Sequence, residues 1–281
     1  MNNAPSGPSG NFCGRKQSLS FCLLLWWPLL SFCALFTASA TEPVALTANE
    51  VIQKAVAQAQ QSEAKNGQKD FTYTKVSVTE ELDAQGKVKE RKEKVYRVYL
   101  QKGATFAKLV EVNGQPVGKA DSKAQAETEA STKQLLGDAK PAKGEKTFLT
   151  PEVVARFDFT MVGKAHLNER EAYQITFAPK SPEPPVHRIL DRLMNRISGT
   201  VWIDAQEFEI ARADLHLGSE VTLLGGVAGS LKKLAYSVTR TRVADGIWLN
   251  SFSSGDFEGR KLIDALRIKT RSHTTGFKPL G

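Results

Sequence analysis

With 281 residues, the chain is long enough for one large β domain or two small ones, and 41% hydrophobic content suffices for a packed core. Its formal net charge of +8 comes without a strong basic block, which argues against nucleic acid as a partner. The three cysteines, Cys13, Cys22 and Cys33, all precede residue 41, so the remainder can form no disulfide and offers no thiol nucleophile or thiolate metal site.

The N-terminal segment, residues 1–40, reads as an export signal. Arg15 and Lys16 form a basic n-region, Leu19 to Phe36 is almost wholly apolar, and Ala38-Ser39-Ala40 supplies a small-residue cleavage site. Cleavage after Ala40 gives a mature chain beginning at Thr41, in the periplasm or cell envelope. The alternative is an uncleaved anchor in the inner membrane, since about 18 apolar residues nearly span a bilayer. Phe21 before Cys22 and Phe32 before Cys33 disfavour a lipid-modified cysteine, which needs a small residue there. The mature chain stays mildly basic, which fits a solvated surface or loose attraction to anionic headgroups.

Thr47, with Glu50 three residues on, predicts a capping box. Val51, Ile52, Ala55, Val56 and Ala59 then recur at helical spacing, and the helix is expected to fade in the polar run from Gln60 to Asp70. Phe71 to Leu82 reads as a strand, Asp83 to Gly86 as a hairpin turn, and Lys87 to Leu100 as the return strand. The mixed charges from Lys87 to Lys94 mark a solvated hairpin end, while Tyr96, Val98 and Leu100 share an inward face. After a turn at Gln101-Lys102-Gly103, Thr105 to Val112 is a third strand and Asn113-Gly114 a strong turn pair.

Composition shifts from Val117 to Lys146, which has no aromatic residue. This stretch is expected to be a polar insertion on one rim, with a helix from Ala124 to Leu136 and a flexible loop at 137–144. Thr150-Pro151-Glu152 is a helix start. Phe157, Phe159 and Met161 alternate as a strand does, Asn168 to Glu171 turns, and Tyr173, Ile175 and Phe177 alternate on the way back. Pro179 to Pro185 is a stiff extended connection, and His187 to Asn195 a short helix. From Ile197 to Thr275 the pattern is an antiparallel meander. Its turns are expected at Asp204-Ala205-Gln206, Gly225-Gly226, Asp245-Gly246 and Glu258-Gly259.

Several segments carry a resemblance to a known family. They are Gly199-Thr200-Val201-Trp202-Ile203-Asp204, then Phe208-Glu209-Ile210-Ala211-Arg212, then Asp245-Gly246-Ile247-Trp248-Leu249, with a C-terminal strand pair. Behind an export signal and an N-terminal helix, this arrangement resembles the LolA-like outer-membrane lipoprotein-sorting proteins. The resemblance implies an α+β, mainly β fold: a curved antiparallel half-barrel of about eleven strands with a helical lid. It also implies that residues 41–281 form one domain, with the insertion at 117–146. Carrier members hold acyl chains in the apolar cavity between barrel and lid; other members are sensors or glycolipid carriers. The carriers' lid-fastening arginine is matched to no position of this chain.

Enzyme chemistry is thin in the sequence. His166, His187, His216 and His273 form no H-E-x-x-H or other helical ligand spacing, and only Asp214 with His216 could share a strand face as a metal pair. Gly225 to Lys233 lacks the spacing of a phosphate loop, and no Gly-x-Ser-x-Gly elbow is present. No catalytic, metal or cofactor-binding residue is therefore assigned and no cofactor is expected. The candidate ligand-cavity residues are Phe159, Tyr173, Ile175, Phe177, Trp202, Tyr236 and Trp248. For Trp202 the phase stays open, because Val201 and Ile203 take the opposite face. The expected function is a non-enzymatic, monomeric carrier of a lipid acyl chain or lipoprotein. A membrane surface or envelope protein is a further partner. The alternatives are an envelope sensor or protein-interaction module on the same fold, and a hydrolase assembled from scattered residues.

Overall fold

The structure, a computed structural model, describes residues 45–66, 71–101, 104–118, 149–223, 229–261 and 264–280. The export segment, nearly all of the polar insertion with its expected helix and loop, the Lys102-Gly103 turn and the Gly225-Gly226 bend lie outside the described residues.

Helix α1, Ala48–Asn66, starts at the expected box: the Thr47 N–H donates to Glu50 Oε2 at 2.8 Å and the Glu50 N–H to Thr47 Oγ1 at 3.3 Å. It ends at Asn66, inside the polar run from Gln60 to Asp70 in which it was expected to fade. Within that run Ser62 is buried, and its hydroxyl donates to Oε1 of Glu209, the residue before β8.

Among the described residues, twelve strands form one sheet. They are β1 (Phe71–Leu82), β2 (Val88–Gln101), β3 (Ala104–Val112), β4 (Gln115–Pro116), β5 (Phe157–Leu167), β6 (Arg170–Pro179), β7 (Ile197–Asp204), β8 (Ile210–Leu217), β9 (Val221–Leu223), β10 (Gly229–Ala244), β11 (Ile247–Lys261) and β12 (Asp264–Pro279). The order is β4-β3-β2-β1-β12-β11-β10-β8-β7-β6-β5, with β9 paired to β10, and every pairing is antiparallel. The sheet is curved and unclosed, with β4 and β5 at its two edges. The count exceeds the expected eleven, and two of the twelve strands, β4 and β9, have only two and three residues. Short helices α2 (Pro151–Val154) and α3 (Ile189–Met194) stand where the sequence placed helix starts, α2 capped by Thr150 Oγ1.

One expected turn is not a turn. Glu258-Gly259 lies inside β11, with Gly259 paired to Leu231 on one side and Leu266 on the other. Glycine is needed there for close backbone approach: a Cβ on Gly259 would sit 2.2 Å from the Ser230 carbonyl oxygen. Gly199 on β7 is similar, since its Cβ would lie 2.0 Å from the Asp214 carbonyl oxygen of β8. Gly199→Ala is therefore expected to cost about 1–3 kcal/mol through overpacking. Urea unfolding measures this, and an unchanged midpoint would mean that β7 and β8 can simply spread.

Alternation and register put the buried apolar residues of β1, β2, β6 and β7 on one face of the sheet, the face on which α1 packs. One cluster joins Val51, Ile52, Ala55 and Val56 of α1 to Ile175, Val201 and Ile203. The other joins Phe71, Tyr73, Val98, Leu100, Ile247 and Leu249. We call this the inner face.

Candidate functional site

The inner face can be read row by row, because each residue's cross-strand partner is defined. One row runs Lys94, Ser77, Ser272, Ser253, Val238, Ala213, Val201, Ile175, Met161 across eight neighbouring pairs of strands. The next row runs Lys92, Thr79, Thr270, Gly255, Tyr236, Leu215, Gly199, Phe177, Phe159. Each row carries a lysine on β2 and hydroxyls on β1 and β12 and ends in aliphatic and aromatic side chains; beyond Lys94 the first row continues to Val112 of β3. Along these two rows the inner face is thus divided, polar over β1, β12 and β11 and apolar from β10 to β5, while farther along β1, β2 and β11 carry the second apolar cluster.

Helix α1 covers the far apolar end. Ile175 and Ile203 are fully buried beneath it, and Phe159, Met161 and Tyr173 pack at the margin. Nearer the polar half, Leu215, Leu234, Tyr236 and Val238 are only half-buried. The C-terminal half of α1 is tied down by polar contacts. Ser62 and Gln58 both reach Glu209 Oε1, and Arg240 Nη1 donates to Glu209 Oε2 at 2.8 Å. Burying a carboxylate is tolerable only with such partners.

The seven cavity candidates from the sequence divide between the faces. Phe159, Tyr173, Ile175, Phe177 and Tyr236 lie on the inner face. Phe159 and Phe177 stand 6.4 Å apart, with Phe157 against both, and Tyr173 stacks on Phe208 at 6.4 Å. Trp202 lies on the outer face, opposite Gln174 and Arg212, while Trp248 stands opposite Arg242 near the start of β11, beyond a register shift. The Arg212 guanidinium sits 4.9 Å above the Trp202 ring. Trp248 is buried, and its Nε1–H donates to Glu207 Oε2 at 2.6 Å. The sequence reading missed Val238, Leu215 and the serine row. The alternation of Leu234, Tyr236 and Val238 was the signal for the first of these.

Around Trp248 runs a polar brace. Arg170 lies over its ring at 5.7 Å and makes a two-pronged contact with Asp204, Nε to Oδ2 at 2.6 Å and Nη2 to Oδ1 at 2.8 Å. The N–H groups of Gln206 and Glu207 also donate to Asp204 Oδ1, at 3.1 and 2.7 Å. Burial alone would push the Asp204 carboxyl up. The Arg170 guanidinium and the two backbone donors outweigh it and hold the group below its ordinary value.

The outer face also holds a groove of about 770 Å³ between β8, β10, β11 and β12. Within it Arg212 pairs with Asp214 at 2.8 Å and Ser237 Oγ donates to Asp214 Oδ1 at 2.6 Å; Asp256 pairs with Lys233 at 2.7 Å, and among the described residues Lys269 and Arg271 have no ion pair. On the same face Ser198 Oγ and His216 Nε2 are 3.0 Å apart. A serine–histidine dyad needs a third group to orient the imidazole. The nearby Asp214 carboxylate is instead engaged by Arg212 and Ser237. Among the described residues, no three His, Cys, Asp or Glu side chains gather as a metal site.

The curved, unclosed antiparallel sheet with few helices fits the half-barrel that the resemblance to LolA-like proteins implied. No family model matches the chain, and no curated protein matches it. Among solved structures it is similar to a domain described as an outer membrane lipoprotein-sorting protein from Vibrio parahaemolyticus, at 12% identity and a TM-score of 0.38, over 81% of this chain and 93% of that one. It is also similar to a LolA superfamily protein from Nitrosomonas europaea, at 11% identity and a TM-score of 0.33, over 83% and 94% of the two chains. A third is the MucA/MucB complex of Pseudomonas aeruginosa, at 9% identity and a TM-score of 0.26, over 81% and 99%. Likenesses this distant carry no argument about cargo or partner, and one fold hosts many functions.

Proposed function

We propose that the protein is an exported carrier, a single domain over residues 41–281, that shields the acyl chains of a lipid or lipoprotein on the inner face of its sheet. The observation that supports this reading is the half-buried apolar strip of Leu215, Leu234, Tyr236 and Val238. It continues the core under α1 without being covered by it. A soluble protein gains by covering such a strip, and an acyl chain gains about 0.8 kcal/mol for each methylene it buries. A sixteen-carbon chain is worth on the order of 10 kcal/mol before ordering costs. Helix α1 is the movable cover. Its contacts through Gln58 and Ser62 are polar, so water can replace them when the helix lifts.

Native mass spectrometry of protein purified from the periplasm tests this, with a co-purified lipid mass as the expected result. A clean apo mass together with a tightly held protein would favour the second reading, an envelope sensor or interaction module. That reading is supported by Val186, Ile189 and Leu190, which are 42%, 50% and 46% exposed around the start of α3.

Export itself is part of the proposal. N-terminal sequencing of the periplasmic protein is expected to begin at Thr41, since Ala38 and Ala40 fit the small pockets of a signal peptidase. An intact Met1 in the membrane fraction would overturn that and favour an anchor.

A further inference from the structure

We infer that the cargo is an acyl lipid with an anionic, phosphate-bearing headgroup, received by Lys75 and Lys94 together with the hydroxyls of Ser77, Ser253 and Ser272. The inference rests on the carrier reading and concerns the same face. An acyl chain alone would need only the apolar strip from β10 to β5, and the polar patch of Lys75, Lys94 and the serines beside it needs its own explanation.

The polar patch is organised. Lys94 stands directly opposite Ser77, and Ser77 opposite Ser272, which in turn faces Ser253. Lys75 is two residues from Ser77 along β1, on the same side of the strand, and opposite Thr274. Directly opposed side chains on a sheet have Cβ atoms about 5 Å apart and diagonal ones about 7–8 Å. Two flexible lysine stems can therefore bring both ammonium groups over the serines. The Ser272 hydroxyl donates to Ser77 Oγ at 3.2 Å, which leaves the row with further hydroxyl capacity for an acceptor-rich group.

The charges are uncompensated. Lys75 and Lys94 are half-buried, and neither has an ion-pair or hydrogen-bond partner among the described residues. Closer to the hairpin end the cations are matched: Lys89 with Glu81 at 3.2 Å, and Arg91 with Glu93 at 2.9 Å. Two like charges close together and partly withdrawn from water repel each other, and an anion between them relieves that cost. A phosphate fits better than a single carboxylate. Its several oxygens can accept from both ammonium groups and from serine hydroxyls at once. The apolar strip begins at the next strand, with Val238 opposite Ser253 and Tyr236 opposite Gly255. A headgroup on the serines therefore directs its chains toward α1.

The test compares phosphatidic acid with diacylglycerol of identical chains, each displacing a fluorescent fatty acid from wild type and from the K75Q/K94Q variant. Wild type is expected to bind phosphatidic acid about tenfold more tightly, the scale of a charge-assisted hydrogen bond. The variant should bind both lipids as wild type binds diacylglycerol, with a melting temperature unchanged or slightly raised, because neither lysine supports another group and their mutual repulsion is gone. Equal affinities in wild type, or a preference that survives in K75Q/K94Q, would overturn the inference and leave the carrier reading standing. If neither lipid nor probe binds, the carrier reading fails and this inference with it. Inorganic phosphate serves as the third arm. Displacement of phosphatidic acid by micromolar phosphate would make this a free-anion site and overturn the lipid assignment; indifference to millimolar phosphate supports it.

Discussion

Asp204→Ala is expected to destabilise the protein by about 3 kcal/mol or more, because it leaves Arg170 without its carboxylate in a site where Asp204 is 1% exposed. The Gln206 and Glu207 N–H groups, which hold the β7–β8 turn, lose their acceptor in the same change. For a domain of this size the melting temperature should fall by roughly 6–12 °C. Asp204→Asn should cost less, since an amide oxygen can still accept from one or two of the donors. The same site predicts a pH dependence. The folded Asp204 carboxyl titrates below its unfolded value, so its contribution is fully present above the ordinary carboxylate range. It is lost as pH falls through the lowered folded value. Asp191, held by the Arg188 side chain and the His187 and Arg188 N–H groups against the cost of burial, is shifted in the same direction and adds to the same acid limb. Removing Asp204 should therefore flatten the fall in melting temperature at acid pH as well as lower the plateau. A plateau within 2 °C of wild type would show that the Arg170 contact is dispensable.

How much of this was legible in the sequence depended on the range of the interaction. The Thr47–Glu50 cap, the Thr150 cap, and the turns at Asp83 to Gly86 and Asn113-Gly114 are each settled within four residues, and the sequence located all of them. Strand existence was equally legible, since Phe157, Phe159 and Met161 or Tyr173, Ile175 and Phe177 announce their own alternation. The face a strand turns inward was less so. Val201, Trp202 and Ile203 are all apolar, so the pattern within β7 could not decide. What decides is the neighbour: α1 covers Val201 and Ile203, while Arg212 takes Trp202. Gly259 misled for a related reason. Glycine is common to turns and to close backbone approach, and only the position of Ser230 distinguishes them. The lysine and serine row was invisible because its members come from β1, β2, β11 and β12, and β1 meets β12 only after almost the whole chain has passed between them.

That register sets up the second large effect, in which one substitution is placed twice in a single row. Ile175 and Val238 lie in the same inner row, three strand pairs apart, and differ in what covers them. Ile175 is fully buried in contact with the α1 cluster, so Ile175→Trp has no room. It should destabilise by about 1–3 kcal/mol through overpacking, whatever the protein carries. Val238 is half-buried on the strip left clear of α1. Val238→Trp should leave the melting temperature nearly unchanged, because Val238, unlike Ile175, is partly open to solvent and the larger ring can extend outward. The ring would lie where the cargo's chain runs and exclude several methylenes. At about 0.8 kcal/mol each, three or four of them amount to roughly 3 kcal/mol, or about a hundredfold in affinity. Thermal unfolding and fatty-acid displacement on both variants measure the two effects separately. If Val238→Trp melts early and binds the probe as wild type does, the strip is ordinary core and the acyl chain, if there is one, lies elsewhere.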